Sequence, residues 1–192
     1  MSLTDKVCKI ICISALSALA LNTLMQPVTY ISNLFKRDTQ TVVFSSGSDS
    51  IPYPRLVNGF VDFFMYPPIT LRENLNGSSV KWISHATRED ILAALNDPTY
   101  ENVIFVGHGT QGSYWAENGS LGAWEAEGVP KKDGYLIMQT CGNPTSPTFG
   151  DVLLIDGQKA YYLKPDVTVI GNYTSSVKRL LSNELSDIYN NP

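Results

Sequence analysis

The chain has 192 residues, 43% hydrophobic and 17% charged, with 14 basic against 18 acidic side chains for a net charge of −4. That length suits one domain with a full hydrophobic core, and the composition excludes a disordered tail. An acidic chain without a Lys- or Arg-rich run lacks the basic surface that neutralises phosphates, so nucleic acid is excluded as a partner.

Lys6 and Lys9 stand against one acid, Asp5, and Ile10 to Leu21 carry no charge. With Ala18-Leu19-Ala20 behind them, these n- and h-regions predict a signal peptide over 1–20, because the apolar run falls short of the ~20 residues of a spanning helix. Two alternatives stay open: an uncleaved anchor, with the uncharged stretch extending through Met25, or an ordinary buried helix. Residues 21–38 read as a mobile arm and 39–192 as a single α/β domain. The protein is expected to be secreted or periplasmic, or to meet a membrane only through the N-terminal segment if that is kept. Removing 1–20 takes Cys8 and Cys12 away and leaves Cys141, which is then a buried thiol, an intermolecular partner or a nucleophile.

From Thr39 onward, short apolar runs alternate with helical spacing, which predicts an α/β three-layer sandwich around a mostly parallel central sheet. Thr41 to Phe44 is the first strand. Pro54 to Tyr66 is a helix with Val57, Phe60, Val61 and Phe64 inward, stopped by Pro67-Pro68. Val80 to Ile83 is the second strand, and Thr87 with Asp90 forms a capping box before Ile91, Leu92 and Leu95. Val103 to Val106 and Tyr135 to Met138 are the third and fourth strands. Between them Tyr114, Trp115 and Trp124, among glycines, suggest a loop or small hairpin rather than a crossover helix. Val152 to Ile155 and Ala160 to Leu163 read as a hairpin around Asp156-Gly157, Val167 to Ile170 as a strand, and a last helix starts at Ser175 or Ser176.

Catalytic groups in an open parallel sheet gather beyond the carboxyl ends of its strands. His108 follows the third strand and Cys141 the fourth, 33 residues later, so neighbouring strands would turn both side chains into one crevice. A cysteine nucleophile attacks as thiolate and needs a base or imidazolium beside it. His108 is the better candidate, since His85 also follows a strand but lacks flanking glycines. Gly107 and Gly109 would let the backbone turn sharply and leave the Gly109 amide, with that of Cys141, open to a developing oxyanion.

Val103-Ile104-Phe105-Val106-Gly107-His108-Gly109 and Tyr135-Leu136-Ile137-Met138-Gln139-Thr140-Cys141-Gly142 resemble the two signature blocks of the caspase-like (clan CD) cysteine peptidases: caspases, metacaspases, legumains, clostripain and gingipains. The second block is similar to Gln-Ala-Cys-x-Gly, with Thr140 for the alanine and Asn143 for the last glycine. The resemblance implies a caspase-like fold and an endopeptidase in which Cys141 is the nucleophile, His108 the acid that protonates the leaving amine, and Gly109 an oxyanion donor. Gln139 and Asp151 are expected to contact a peptide or protein substrate, and Glu117, Glu125 and Glu127 are further acids near the site. The short chain departs from the family, with no prodomain and few elements after Cys141.

No cofactor is expected: two histidines and one mature cysteine make no metal ligand set, and no phosphate-cradling or dinucleotide loop follows the first strand. Two other readings remain, a secreted binding or effector module without catalysis and a sortase-like transpeptidase. Sortases are β-barrels that need an arginine soon after the cysteine, and here the next is Arg179. The oligomeric state has no signature in the sequence.

Overall fold

The computed structural model describes residues 3–35, 39–46, 54–140, 143–163 and 189–190. Its elements are α1 (Leu3–Ser32), β1 (Thr39–Ser46), α2 (Pro54–Leu75), β2 (Ser78–Ser84), α3 (Arg88–Asn96), β3 (Tyr100–Gly107), β4 (Ser113–Ala116), β5 (Gly119–Gly122), β6 (Leu136–Gln139), α4 (Phe149–Leu153), β7 (Ala160–Leu163) and β8 (Tyr189–Asn190), with a 3-10 turn at Ala123–Ala126. One sheet runs β2-β1-β3-β6-β7-β8, parallel except for β8, and β4 pairs with β5 in a separate antiparallel hairpin. Five parallel strands between two helical layers make the three-layer α/β sandwich that the alternating pattern predicts.

The central strands read as unbroken apolar runs because both of their faces are covered. Val42 and Phe44, Val103 and Phe105, and Leu136 and Met138 point to one side, where Ile91 and Leu95 of α3, Tyr114 and Leu121 of the hairpin and Phe149 of α4 close over them. Phe105 is the hub, its ring centroid 5.1 Å from Phe44, 4.8 Å from Tyr114 and 5.0 Å from Phe149. Val43, Ile104, Val106 and Ile137 point to the other side, onto Met65 and Ile69 of α2. At the amino edge of the sheet the buried Glu73 of α2 accepts from Thr41 Oγ1 at 3.2 Å and from the Tyr135 hydroxyl. That pairing ties helix and strands together away from the strand ends that matter below.

The expected stop at Pro67-Pro68 is corrected: α2 continues through both prolines to Leu75. A proline inside a helix leaves the carbonyl four residues earlier without its donor. Here that carbonyl is Phe63 O, and Asn22 of α1 donates its side-chain N–H to it at 2.6 Å. For Pro67 the missing bond is thus supplied from the neighbouring helix, which helps α2 to pass the break that sequence alone predicts.

Over residues 21–35 the expected arm is corrected in the same place, and 36–38 lie outside the described residues. Helix α1 runs on to Ser32, past the boundary at residue 20, and packs on α2. Asn22, Met25 and Thr29 are buried, Thr29 Oγ1 reaches Pro67 O at 3.4 Å, and Asn33 donates to the Tyr66 hydroxyl at 2.9 Å. No helix among the described residues is long and apolar enough to cross a membrane.

The hairpin read over 152–163 also differs. Thr148 and Asp151 form a capping box that starts α4, placing Phe149 and Leu153 four residues apart in the core, and β7 pairs parallel with β6. Short apolar runs fit either helix or strand, and here the cap decides. The capping box at Thr87 and Asp90 and the hairpin at Tyr114 and Trp115 form as predicted. The predicted strand over 167–170 and the final helix lie outside the described residues.

Candidate active site at the carboxyl edge of the sheet

Parallel pairing brings the carboxyl ends of β2, β1, β3 and β6 to one edge, carrying Ser84-His85, Ser45-Ser46, Gly107-His108 and Gln139-Thr140 in that order. The last β3–β6 partners are Val106 and Gln139. In sequence, His108 follows Val106 by two residues, as Cys141 follows Gln139. Cys141 and Gly142 themselves lie outside the described residues. Thr140, just before them, is buried, and its hydroxyl has no hydrogen-bond partner among the described residues.

What holds His108 is the hairpin that follows it. Trp115 N–H donates to His108 O at 3.0 Å, Thr110 N–H donates to Ser113 O at 2.8 Å, and Gly109 faces Tyr114 across an antiparallel bridge. The Trp115 ring lies 5.7 Å from the imidazole at an interplanar angle of 33°. Two anchors fix the hairpin in turn. Tyr114 is fully buried and its hydroxyl donates toward Val106 O at 2.9 Å and Phe44 O at 3.2 Å, while burial pushes the phenol far above its ordinary range. Ser46 Oγ donates to Trp115 O.

The two glycines beside His108 have a packing reason. A Cβ on Gly107 would stand 2.2 Å from Ser46 O, and one on Gly109 would stand 2.3 Å from Ser113 O, with φ of 142° and 154° respectively. The sequence reading assigned the same residues to space for a substrate; the geometry assigns them first to the close approach of three backbones. The hairpin ladder does not use the Gly109 N–H, because its bonds come from the residues on either side of Gly109. An oxyanion donor at that position is therefore compatible with the fold, although Gly109 is itself buried.

The two expected substrate contacts sit as follows. Gln139 is only 2% exposed, level with Val106 at the end of a central strand, so it is part of the interior. Asp151 is exposed, but its carboxylate accepts from the Thr148 backbone N–H and hydroxyl, both at 2.8 Å, as the far half of the capping box. A cleft of about 570 Å³ lies beside it, lined by Gly150, Asp151, Ile155, Lys159 and Tyr162. It follows α4 and the loop into β7 and includes neither His108 nor Gln139.

Of two further groups at the same edge, Asp62 gives no functional signal in the sequence, and His85 stands there only as the second-choice histidine. Asp62 of α2 accepts from the Ser45 and Ser84 hydroxyls and, at 3.2 Å, from Trp82 Nε1, joining the ends of β1 and β2. Its structural cue is a lone acid inside Val61-Asp62-Phe63-Phe64, a place where a carboxylate needs partners. His85 has φ of 54°, rare without glycine or asparagine, and its Nδ1 lies 3.4 Å from Glu117 Oε2. Glu125 is drawn into an ion pair with Arg88, away from any substrate role.

No protein-family model matches the chain, and no curated protein matches it either.

Proposed function

We propose that the protein is a cysteine hydrolase of the caspase-like kind, acting on peptide bonds through Cys141 and His108. The observation that supports this reading is the parallel β3–β6 pairing, which sets side by side the two strands that precede His108 and Cys141 in sequence. The Cys141 thiolate attacks the scissile carbonyl, forming an S–C bond, and the oxyanion is met by the Gly109 N–H. As the C–N bond breaks, protonated His108 gives its proton to the leaving amine. Water, losing a proton to the now neutral imidazole, then adds to the thioester and expels the thiolate, which frees the acid product. A dyad of this kind asks for one well-held imidazole, and the hairpin supplies that hold through Trp115, Tyr114 and Ser46.

The test is thiol reactivity in a Cys8→Ser/Cys12→Ser background, alongside peptide cleavage. A free thiol of pKa about 8.5 is about 0.3% ionised at pH 6. Lowering that pKa by about two units raises the thiolate share roughly 75-fold and, after the loss of nucleophilicity, leaves about a tenfold gain in alkylation rate. We expect that gain for Cys141, its loss in His108→Ala, and no cleavage by Cys141→Ala. Ordinary labelling at pH 6 together with no cleavage of a peptide library would leave a binding module on the same fold. Cleavage that persists in Cys141→Ala would overturn the mechanism outright.

A further inference from the structure

Helix α1 is built inside out. At 3.6 residues per turn, Ala18, Asn22, Met25, Thr29 and Ser32 share one stripe, and this stripe, with three polar side chains in five, faces α2. Asn74 of α2 donates to Ser32 Oγ at 2.7 Å and to Asn33 Oδ1 at 2.6 Å, completing a polar seam between the helices. The other side is largely apolar and bare, with Leu16 65% exposed, Leu24 71%, Val28 51% and Ile31 56%, and Ser17 and Thr23 as its polar members. A helix that meets water arranges itself the other way round. Polar side chains between helices, prolines carried inside both helices and apolar residues outward are the arrangement of helices whose surroundings are lipid.

We propose that α1 beds its Leu16, Leu24, Val28 and Ile31 face into the interfacial layer of a membrane carrying anionic lipid. Charge decides between lipid and a second copy of the chain. No charged residue occurs from Ile10 through Phe35, and basic residues bracket the stretch, Lys6 and Lys9 before it and Lys36 and Arg37 directly after it. Four basic side chains against Asp5 and Asp38 over residues 1–38 leave this end net positive in a chain whose net charge is −4. That placement suits headgroup phosphates on both sides of an apolar strip. The helix is exposed along one side while its other side packs on α2, the geometry of a helix lying in the interface rather than crossing it. The rest of the domain sits behind α2, so the sheet and its carboxyl edge stay on the aqueous side of the helix pair.

The experiment uses the intact chain, purified and freed of detergent, sedimented with vesicles of phosphatidylcholine alone and of equal parts phosphatidylcholine and phosphatidylglycerol. The expected result is binding to both, at least tenfold tighter to the anionic vesicles. Leu24→Glu/Ile31→Glu should lower binding at least tenfold at an unchanged thermal midpoint, and Leu24→Ala/Ile31→Ala should lower it less while leaving the fold intact. Lys36→Glu/Arg37→Glu should erase the preference for anionic vesicles alone. A chain that stays in the supernatant, or a Glu double variant that folds and binds as well as the parent, overturns the proposal. So does a dimer in light scattering that the Glu double variant turns into monomer, an outcome that assigns the face to a second copy.

Discussion

Gly107→Ala tests how His108 is held. The new Cβ would lie 2.2 Å from Ser46 O, roughly 1 Å inside ordinary contact, and the obstacle is backbone rather than the end of a flexible side chain. Strain from φ of 142° adds about 1–3 kcal/mol, and relief of the clash about 1–3 kcal/mol more. A loss of about 2–6 kcal/mol is thus expected, a large share of the 5–15 kcal/mol that holds a typical domain. Gly157→Ala is the control: φ there is 89°, but nothing lies within 4 Å, so it measures strain without the clash. Urea unfolding of both variants separates the two effects. Because relief must part β1 from the turn at His108, Gly107→Ala should also cut Cys141 alkylation at pH 6 well beyond its effect on the folded fraction. Equal midpoints for Gly107→Ala and Gly157→Ala, or full alkylation in a folded Gly107→Ala protein, would refute the reasoning.

Asn22→Ala should cost about 1–3 kcal/mol by leaving Phe63 O without a donor, and should cost markedly less in a Pro67→Ala background, where the restored N–H takes over; equal costs in the two backgrounds would remove the account of why α2 passes its prolines. Lys132 is buried with its ammonium on Asp97 O at 2.8 Å, and desolvation holds its pKa below 10.5, so the unfolded chain binds the proton more readily. Stability therefore gains with rising pH between that lowered value and 10.5, and the difference between the parent and Lys132→Met should shift in the parent's favour across this window in pH-dependent urea titrations; a flat difference contradicts it. Asp151→Asn and Thr148→Ala should each lose about 0.5–2 kcal/mol as cap lesions and leave peptide preference untouched. A changed preference would return Asp151 to the substrate.

The layers of the fold were legible because the central strands announce themselves. Runs such as Val103-Ile104-Phe105-Val106 can be buried only on both faces, and Thr87 with Asp90 marks its helix start by a local rule. What escaped depends on partners distant in sequence. Nothing near Pro67 tells that Asn22 will supply the donor Phe63 lacks, and nothing near Asp151 except Thr148 tells that its carboxylate is spoken for. At the candidate site the order of His108 and Cys141 could be read directly, and so could the glycines beside His108. Their reason could not, because it lies in Ser46 and Ser113, brought there by β1 and the hairpin.

The seam between α1 and α2 has a consequence for the N-terminus. Among the described residues Asn22, Ser32 and Asn33 make its side-chain hydrogen bonds, Thr29 bonds Met25 O within α1 and lies 3.4 Å from Pro67 O, and all four follow Ala20. A chain beginning at Leu21 would keep every one of those bonds, and the orphaned carbonyl of α2 would still be served. Loss of residues 1–20 would take Ala18 out of the stripe that packs on α2 and leave those hydrogen bonds in place.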